Sequence, residues 1–291
     1  MKKFQHRYST KLLCHLMQIS RSTYYEYLKP KVKNSGKQQV EQQIVEVFRM
    51  HKQRYGIRRI CAELKDRGLK VGKYVCRKVM KQHGLRAIQP RSFVPRTTES
   101  RHPYPISPNL LLERQPPTRP DEVWVGDITY IPLSQGRWAY LSVWMDLYSR
   151  RIVGWKLASH MREELVIAAL RKALATRNVK AGLIVHSDRG GQYAGGLFRM
   201  LLLKRKIAQS MSRADDPYDN ASMESCFSRL KAELLEDGIF DNLEDAQTEI
   251  FEYIEMYYNT SRKHSSLNYL SPMQYENHYF YSLTKQVSCP L

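Results

Sequence analysis

Three apolar runs, Val123–Pro132, Trp138–Met145 and Arg151–Leu157, follow one another with only short polar turns between them, Ser134-Gln135-Gly136 and Tyr148-Ser149-Arg150. Runs of this length, rich in Val, Ile, Trp and Tyr and bounded by turn residues, predict three antiparallel strands. The period then changes. Over Arg162–Arg177 the spacing predicts a helix that buries Leu165, Ala168, Ala169 and Ala173. Leu183–Ser187 and Ile207–Met211 read as short apolar strands separated by a helix at Leu197–Arg205. Two further helices are expected over about 220–236 and Leu243–Asn259. Three strands, helix, strand, helix, strand, helix is an α/β order, and it predicts a mixed five-stranded sheet flanked by helices.

Upstream the pattern is helical. Val40–His51, Ile57–Asp66 and Lys73–Gln82 form three short helices, with Gly56, Gly68 and Gly84 at their ends. In the third, Val75, Cys76, Val79 and Met80 supply an apolar face, and Lys73, Arg77, Lys78 and Lys81 lie on the other side. A helix lying along DNA needs that division. The region therefore reads as helix-turn-helix-like, with a purely structural three-helix unit as the alternative. A smaller helical pair is expected over 9–28, turning near Ile19-Ser20-Arg21. Eight of the thirteen prolines fall between Pro90 and Pro120, which predicts an extended, unpacked linker. The organisation is then a basic helical segment at 1–39, a DNA-binding region at 40–89, the linker at 90–120, a catalytic body at 121–280 and a tail at 281–291.

Charge sharpens this division. Residues 1–120 hold 27 Lys and Arg against 7 Asp and Glu, and residues 121–291 hold 20 against 21. The whole excess lies in the first part, as in a polyanion-binding arm joined to a near-neutral catalytic body. An acidic membrane surface is a poorer fit, because no long amphipathic pattern accompanies the charge. The five cysteines form no Cys-x-x-Cys pair, and their odd number argues against a disulfide framework. With no run of transmembrane length, the expected location is the cytoplasm.

The candidate chemistry lies in three acids. Asp127 sits inside the strand-like Trp124-Val125-Gly126-Asp127-Ile128-Thr129-Tyr130-Ile131. Asp188 ends an apolar strand in His186-Ser187-Asp188-Arg189-Gly190-Gly191-Gln192-Tyr193. Glu224 lies on a helix opened by Asp219-Asn220-Ala221. A carboxylate within an apolar strand is costly unless something positive compensates it, and divalent cations are the natural remedy for three together. An all-oxygen set suits Mg²⁺ or Mn²⁺. Two ions about 3.5–4 Å apart activate an attacking oxygen and stabilise a leaving one at phosphorus. On the Glu224 helix, Met223, Phe227, Leu230 and Leu234 make the core stripe. Asn220, Glu224, Ser228 and Lys231 share a neighbouring edge, so Lys231 faces with Glu224 and can hold a phosphate. Asp146 is the rival ligand and is expected to organise the turn into Ser149-Arg150 instead. Asp215, Asp216 and Asp219 are expected to cap the Glu224 helix. His186 is expected to support the Asp188 turn, and His264 to contact DNA or cap a helix. Neither has a partner at zinc-finger spacing. Tyr253, Tyr257 and Tyr258 are expected to pack the last helix.

Six motifs occur in order: Trp124-x-x-Asp127-Ile-Thr-Tyr, His186-Ser-Asp188-Arg-Gly-x-Gln-Tyr193, Met211-Ser212, Asp219-Asn-Ala221-x-x-Glu224-Ser225, Leu230-Lys231-x-Glu233 and Tyr258-Asn259-x-x-Arg262-x-His264-x-x-Leu267. Over about residues 40–276 the chain resembles the bacterial insertion-sequence transposases. It is most similar to the downstream-frame product of two-frame elements, a group related to retroviral integrases. Tyr55-Gly56-Ile57-Arg58-Arg59-Ile60 resembles that family's accessory helix-turn-helix segment. The resemblance implies a ribonuclease-H-like fold and a catalytic, metal-holding triad of Asp127, Asp188 and Glu224, with Lys231 and Asn220 placing the DNA end. Two Mg²⁺ or Mn²⁺ ions, double-stranded DNA (element ends and target), a homo-multimer on DNA and an upstream-frame product as fusion or partner are implied with it. Two departures are visible: Cys226 where an aromatic is usual, and Gly126 where Thr is common. A structure-selective nuclease of the same fold and a DNA-binding regulator without activity are the alternative readings.

Overall fold

The computed structural model describes residues 4, 6–28, 35–89, 103–213, 220–235 and 238–287. Two short helices come first, α1 (Thr10–Leu16) and α2 (Arg21–Leu28). Ser9 accepts from Leu12 N at 3.3 Å and Ser20 Oγ from Thr23 N at 3.0 Å, so each helix has a hydroxyl at its open N-terminus. Three helices follow: α3 (Ser35–Met50), α4 (Ile57–Asp66) and α5 (Lys73–Gln82). Ile44, Val47, Phe48, Ile60, Leu64, Cys76, Val79 and Met80 form their shared core. Helix α3 begins earlier than its periodicity predicts, because Ser35–Gln39 carries no apolar residue to reveal it. On α5 the expected apolar face is narrower: Val75 is 43 % exposed. At 3.6 residues per turn it lies about a quarter turn from the centre of the Cys76–Val79–Met80 stripe. Lys73, Arg77, Lys78 and Lys81 are all exposed.

The sheet holds β1 (Val123–Pro132), β2 (Trp138–Asp146), β3 (Ile152–Ala158), β4 (Ile184–Ser187) and β5 (Ala208–Met211), in the order β3-β2-β1-β4-β5. β1, β2 and β3 form an antiparallel meander, whereas β4 runs parallel to β1 and β5 parallel to β4. Alternation along β1 divides the core in two. Trp124 and Ile128 face α6 (Glu163–Thr176), α7 (Gly191–Ala194) and α8 (Gly196–Lys204), meeting Leu165, Ala169, Phe198 and Leu202. Val123, Val125 and Ile131 face α9 (Ala221–Leu234) and α10 (Leu243–Phe251), meeting Met223, Phe227, Leu230 and Ile250. The predicted helix to Asn259 loosens after Phe251 into a π-helical stretch, Glu252–Tyr258, which buries Tyr253, Ile254 and Tyr258. Among the described residues no helix is long and apolar enough to cross a membrane.

Three expectations are corrected. Ala168 is half-buried, at the edge of the α6 stripe. The predicted tail at 281–291 is helical as far as it is described, because α11 (Pro272–Val287) runs through it. The linker is tied to β5 through Ser107, Pro108 and Leu110, although most of 103–120 is exposed, and 90–102 lies outside the described residues. Leu110 N donates to Ser210 Oγ at 2.9 Å, Ser107 Oγ to Gln209 Oε1 at 3.0 Å, and Met211 N to Pro108 O at 3.4 Å. Proline removes donors from this segment, and side chains and backbone of β5 supply partners to what remains.

The departure at Gly126 has a steric reason. Gly126 pairs with Trp144 across the β1–β2 ladder, and a Cβ there would stand 2.4 Å from the indole ring. The ring in turn stacks on Phe198 and meets Tyr193 edge-on. Gly126→Thr is therefore expected to cost about 1–3 kcal/mol by overpacking. It should lower the melting temperature by roughly 2–4 °C per kcal/mol, and Trp144→Leu in the same chain should recover part of the loss. A single Thr variant that melts with the wild type would remove this account of the departure.

Candidate active site

The positions of Asp127 and Asp188 follow from strand register. Val125 pairs with His186 across the parallel β1–β4 contact. The pairing ends there: two residues on, Asp127 is still within β1 and on the face that α9 covers, while Asp188 lies just past the end of β4, close enough for its charge to act on Asp127. Asp127 is half-buried mid-strand, its Oδ1 accepting from Ile128 N at 2.7 Å. Asp188 comes one residue after β4. Its Oδ1 accepts from Gly190 N at 3.0 Å, which forms the turn into α7. Burial first, and then the charge of Asp188, holds the Asp127 carboxyl well above the usual carboxylate range; Glu224 adds to the rise and Lys231 opposes it. Tyr193, buried behind the pair, is raised well above its ordinary value by desolvation and by both aspartates.

Helix α9 supplies the rest. Met223, Phe227 and Leu230 are buried and Leu234 is half-buried, as the stripe predicts. Glu224 is exposed one edge away, and Lys231 is half-buried on the same helix, its ammonium depressed by burial and supported by Asp127. The charges of both Asp188 and Glu224 therefore bear on Asp127. The three carboxylates do not close into a coordination cluster: among the described residues no three His, Cys, Asp or Glu side chains are placed to hold an ion together. Glu224 stays in solvent, where a like charge beside two aspartates is best accommodated. The donor set suits a hard dication, since like-charged oxygens on one face are what such an ion stabilises.

Asn220 occupies the N-cap position of α9, 9 % exposed and with no side-chain cap bond. The acids proposed to cap this helix, Asp215, Asp216 and Asp219, lie outside the described residues. Lys73, Arg77, Lys78 and Lys81 form a separate exposed face on α5. Asp146 is committed to its turn: Oδ1 accepts from Ser149 N at 2.7 Å and Ser149 Oγ at 2.8 Å, and Oδ2 from Asp121 N at 2.7 Å. Burial pushes it up to about 6. His186 reaches the neighbouring strand, its Nδ1 lying 2.8 Å from Ser210 Oγ. His264 opens the turn Ser265–Leu267 with its carbonyl, which accepts from Leu267 N and Tyr269 N. Its ring meets Tyr258 edge-on and is pushed down to about 3 by burial. Sequence reasoning missed a second set of buried charges. Glu233, 4 % exposed, accepts from Arg262 Nε and Nη2 at 2.8 and 2.7 Å and from Tyr253 Oη at 2.9 Å. Its signal was an acid three residues beyond Leu230, inside the apolar stripe of α9.

Residues 117–217 and 205–272 match two families described as integrase core domains, and residues 36–93 match an HTH-like domain. A transposase for insertion sequence element IS904 of Lactococcus lactis is 40 % identical over 84 % of this chain and 97 % of its own length. Transposase InsF for insertion sequence IS3A of Escherichia coli is 36 % identical over 94 % of this chain and 96 % of its own. The chain belongs to the insertion-sequence transposases. An insertion element IS600 protein of Shigella sonnei is 37 % identical over 92 % of this chain and 98 % of its own length. Among solved structures, the HTLV-2 integrase catalytic core in complex with magnesium aligns at 16 % identity over 55 % of this chain and 98 % of that one, with a TM-score of 0.42. As a member of this family the chain is a polynucleotidyl transferase, and family and fold agree on the mixed sheet with an HTH-like region before it.

The state of Asp127 gives a stability test. A carboxyl raised in the folded chain destabilises it when ionised, and the cost grows as pH rises from the ordinary carboxylate range toward the folded value. Asp127→Asn should thus raise the melting temperature of the metal-free transposase at pH 7, with the gap closing as pH falls through the ordinary range. Adding Mg²⁺ should raise the melting temperature of the wild type and leave the variant nearly unmoved. A variant that melts below the wild type at pH 7 contradicts the desolvation account.

Proposed function

We propose that Asp127, Asp188 and Glu224 are the catalytic carboxylates of this transposase and act on double-stranded DNA at the ends of an insertion sequence. The observation that carries the reading is the placement of Asp127 within β1 where the charges of Asp188, just past the adjacent parallel strand, and of Glu224 and Lys231 on α9 all act on it. Asp127 would hold two Mg²⁺ or Mn²⁺ ions, Asp188 one of them and Glu224 the other. Bound there, such ions activate the attacking oxygen and stabilise the leaving one.

The chain's own groups do the positioning. Ile128 N–H and Gly190 N–H orient the two aspartates, which restricts their rotation toward the phosphate. Glu224, in solvent on α9, is free to swing in when the site fills. Lys231, partly desolvated beside Asp127, takes a non-bridging phosphate oxygen, and Asn220 steadies the end from the start of the same helix. In the first step water attacks phosphorus at the element end, the P–O3′ bond breaks and a 3′-hydroxyl is left. In the second, that hydroxyl attacks a target phosphodiester in line, forming one P–O bond as another breaks. No covalent link to the protein is required. The exposed cations of α5 hold DNA phosphates. Pairing two ends calls for a homo-multimer on DNA, with the upstream-frame product as fusion or partner, working at the bacterial nucleoid.

The test is a Mg²⁺-dependent cleavage and joining assay on labelled element ends. Glu224→Gln should remove both products, a loss on the order of 10³-fold if it contributes several kcal/mol. Cleavage without joining would favour the nuclease, and sequence-specific binding with no product, even in the upstream-frame fusion, would favour the regulator. For α5, replacing Lys73, Arg77, Lys78 and Lys81 with Ala should flatten the dependence of log affinity on log salt by about 0.9 for each phosphate that the protein no longer neutralises. An unchanged slope in a binding titration would move the DNA surface elsewhere.

A further inference from the structure

Three motifs have no part in the chemistry above: Tyr55-Gly56-Ile57-Arg58-Arg59, Glu233 and Arg262. The fold brings them to one place. Tyr55 is fully buried, and its hydroxyl donates to Ser261 O at 3.2 Å and accepts from Lys263 N at 2.9 Å. Arg54 Nε donates to Glu233 O at 3.2 Å, and its guanidinium lies over Tyr257 and Tyr253 at 4.8 and 5.2 Å. Arg59 Nη1 stands 3.5 Å from Glu233 Oε1, the oxygen that Arg262 also holds. Lys263, 4 % exposed, pairs with Asp66 and Glu63 of α4. His51 stacks on Tyr55 at 3.6 Å and tilts against Tyr257 at 5.9 Å, closing the contact from the α3 end.

This is the joint between the HTH-like helices and the catalytic core. Two cations converge on one buried acid, Arg262 through two hydrogen bonds and Arg59 through an ion contact, and with the Tyr55 and Arg54 hydrogen bonds beside them such an arrangement tolerates few relative orientations. Glu233 is on α9, two residues beyond Lys231 and nine beyond Glu224. On the other side, α5 shares its core with α4. The basic face of α5 is thus linked to the catalytic helix through two rigid packings rather than through the chain at 90–120 alone.

We propose that this joint fixes the distance between the duplex DNA held by α5 and the phosphodiester at the carboxylates, which makes Glu233 a positioning residue that sets where the strand is cut. The inference rests on the catalytic reading above. It is tested in the full chain on end-labelled duplexes, with Tyr55→Phe, Arg59→Ala and Glu233→Gln beside the wild type. The wild type should cut at one phosphodiester. The variants should spread cutting over neighbouring phosphodiesters and lose about 10-fold at the original one, with DNA affinity unchanged within about 2-fold. Arg59→Lys, which retains the charge, should restore most of the original cutting. Variants that cut one position at the wild-type rate would overturn the proposal. A second arm needs no activity. With a protease site inserted between Pro90 and His102, the nicked wild type should elute as one species in gel filtration, and Arg59→Ala or Glu233→Gln should release the two parts. Separation of the nicked wild type overturns the joint. A wild type that makes no product while its nicked parts stay together counts against the catalytic reading and not against the joint.

Discussion

The structure turns on repulsion at the end of the parallel contact between β1 and β4. That pairing leads Asp127 and Asp188 to the same end of the sheet, where the Asp188 charge acts on Asp127 and burial removes water from it. Neither effect can be relieved by a local change, because the register is fixed by apolar residues on both faces of β1 and a one-residue slip would turn them all over. The fold therefore stores an unfavourable charge arrangement at one place, and the natural relief is a cation.

Other buried acids of the same core show how unusual this is. Burial would raise Glu233, yet Arg262, with Arg59 and Tyr253 assisting, holds it below the usual carboxylate value. Burial likewise opposes Glu276, which Arg177, Arg151 and Ser149 hold low. Asp146 has three hydrogen-bond donors. Each of these acids ties two elements together. Asp127 has one backbone N–H and a lysine that burial itself depresses. Where a carboxylate is structural, the fold surrounds it with donors; beside Asp188 the fold withholds them.

Much of this was legible in the chain. β1 and the helices α4 and α5 fall where hydrophobic spacing puts them, since each has one face to bury and so carries a clear period. Glu224 was placed correctly at the edge of the α9 stripe. Errors arose where burial is decided by neighbours distant in sequence. Val75 looked apolar enough for the core but faces away from it, and nothing in the proline-rich segment announced that Ser107 and Leu110 would bond to Gln209 and Ser210 of β5. Helix α11 was missed because its apolar residues include Phe280, Tyr281 and Leu283, which remain exposed and blur the period.

Residue order by itself determined the order of the five strands and of the longer helices between them, the confinement of excess positive charge to the first 120 residues, and the identity of the three candidate acids. These properties are local, because period, composition and motif are written within a few turns of chain. Only the tertiary structure decided that the Asp188 charge bears on Asp127 while Glu224 remains in solvent, that Trp144 requires glycine at 126, and that Tyr55 bonds to Ser261 and Lys263 while Arg59 pairs with Glu233. Those outcomes depend on register and on packing between elements up to 208 residues apart. No window of sequence contains the distances that set the strength of a charge or the space left for a methyl group.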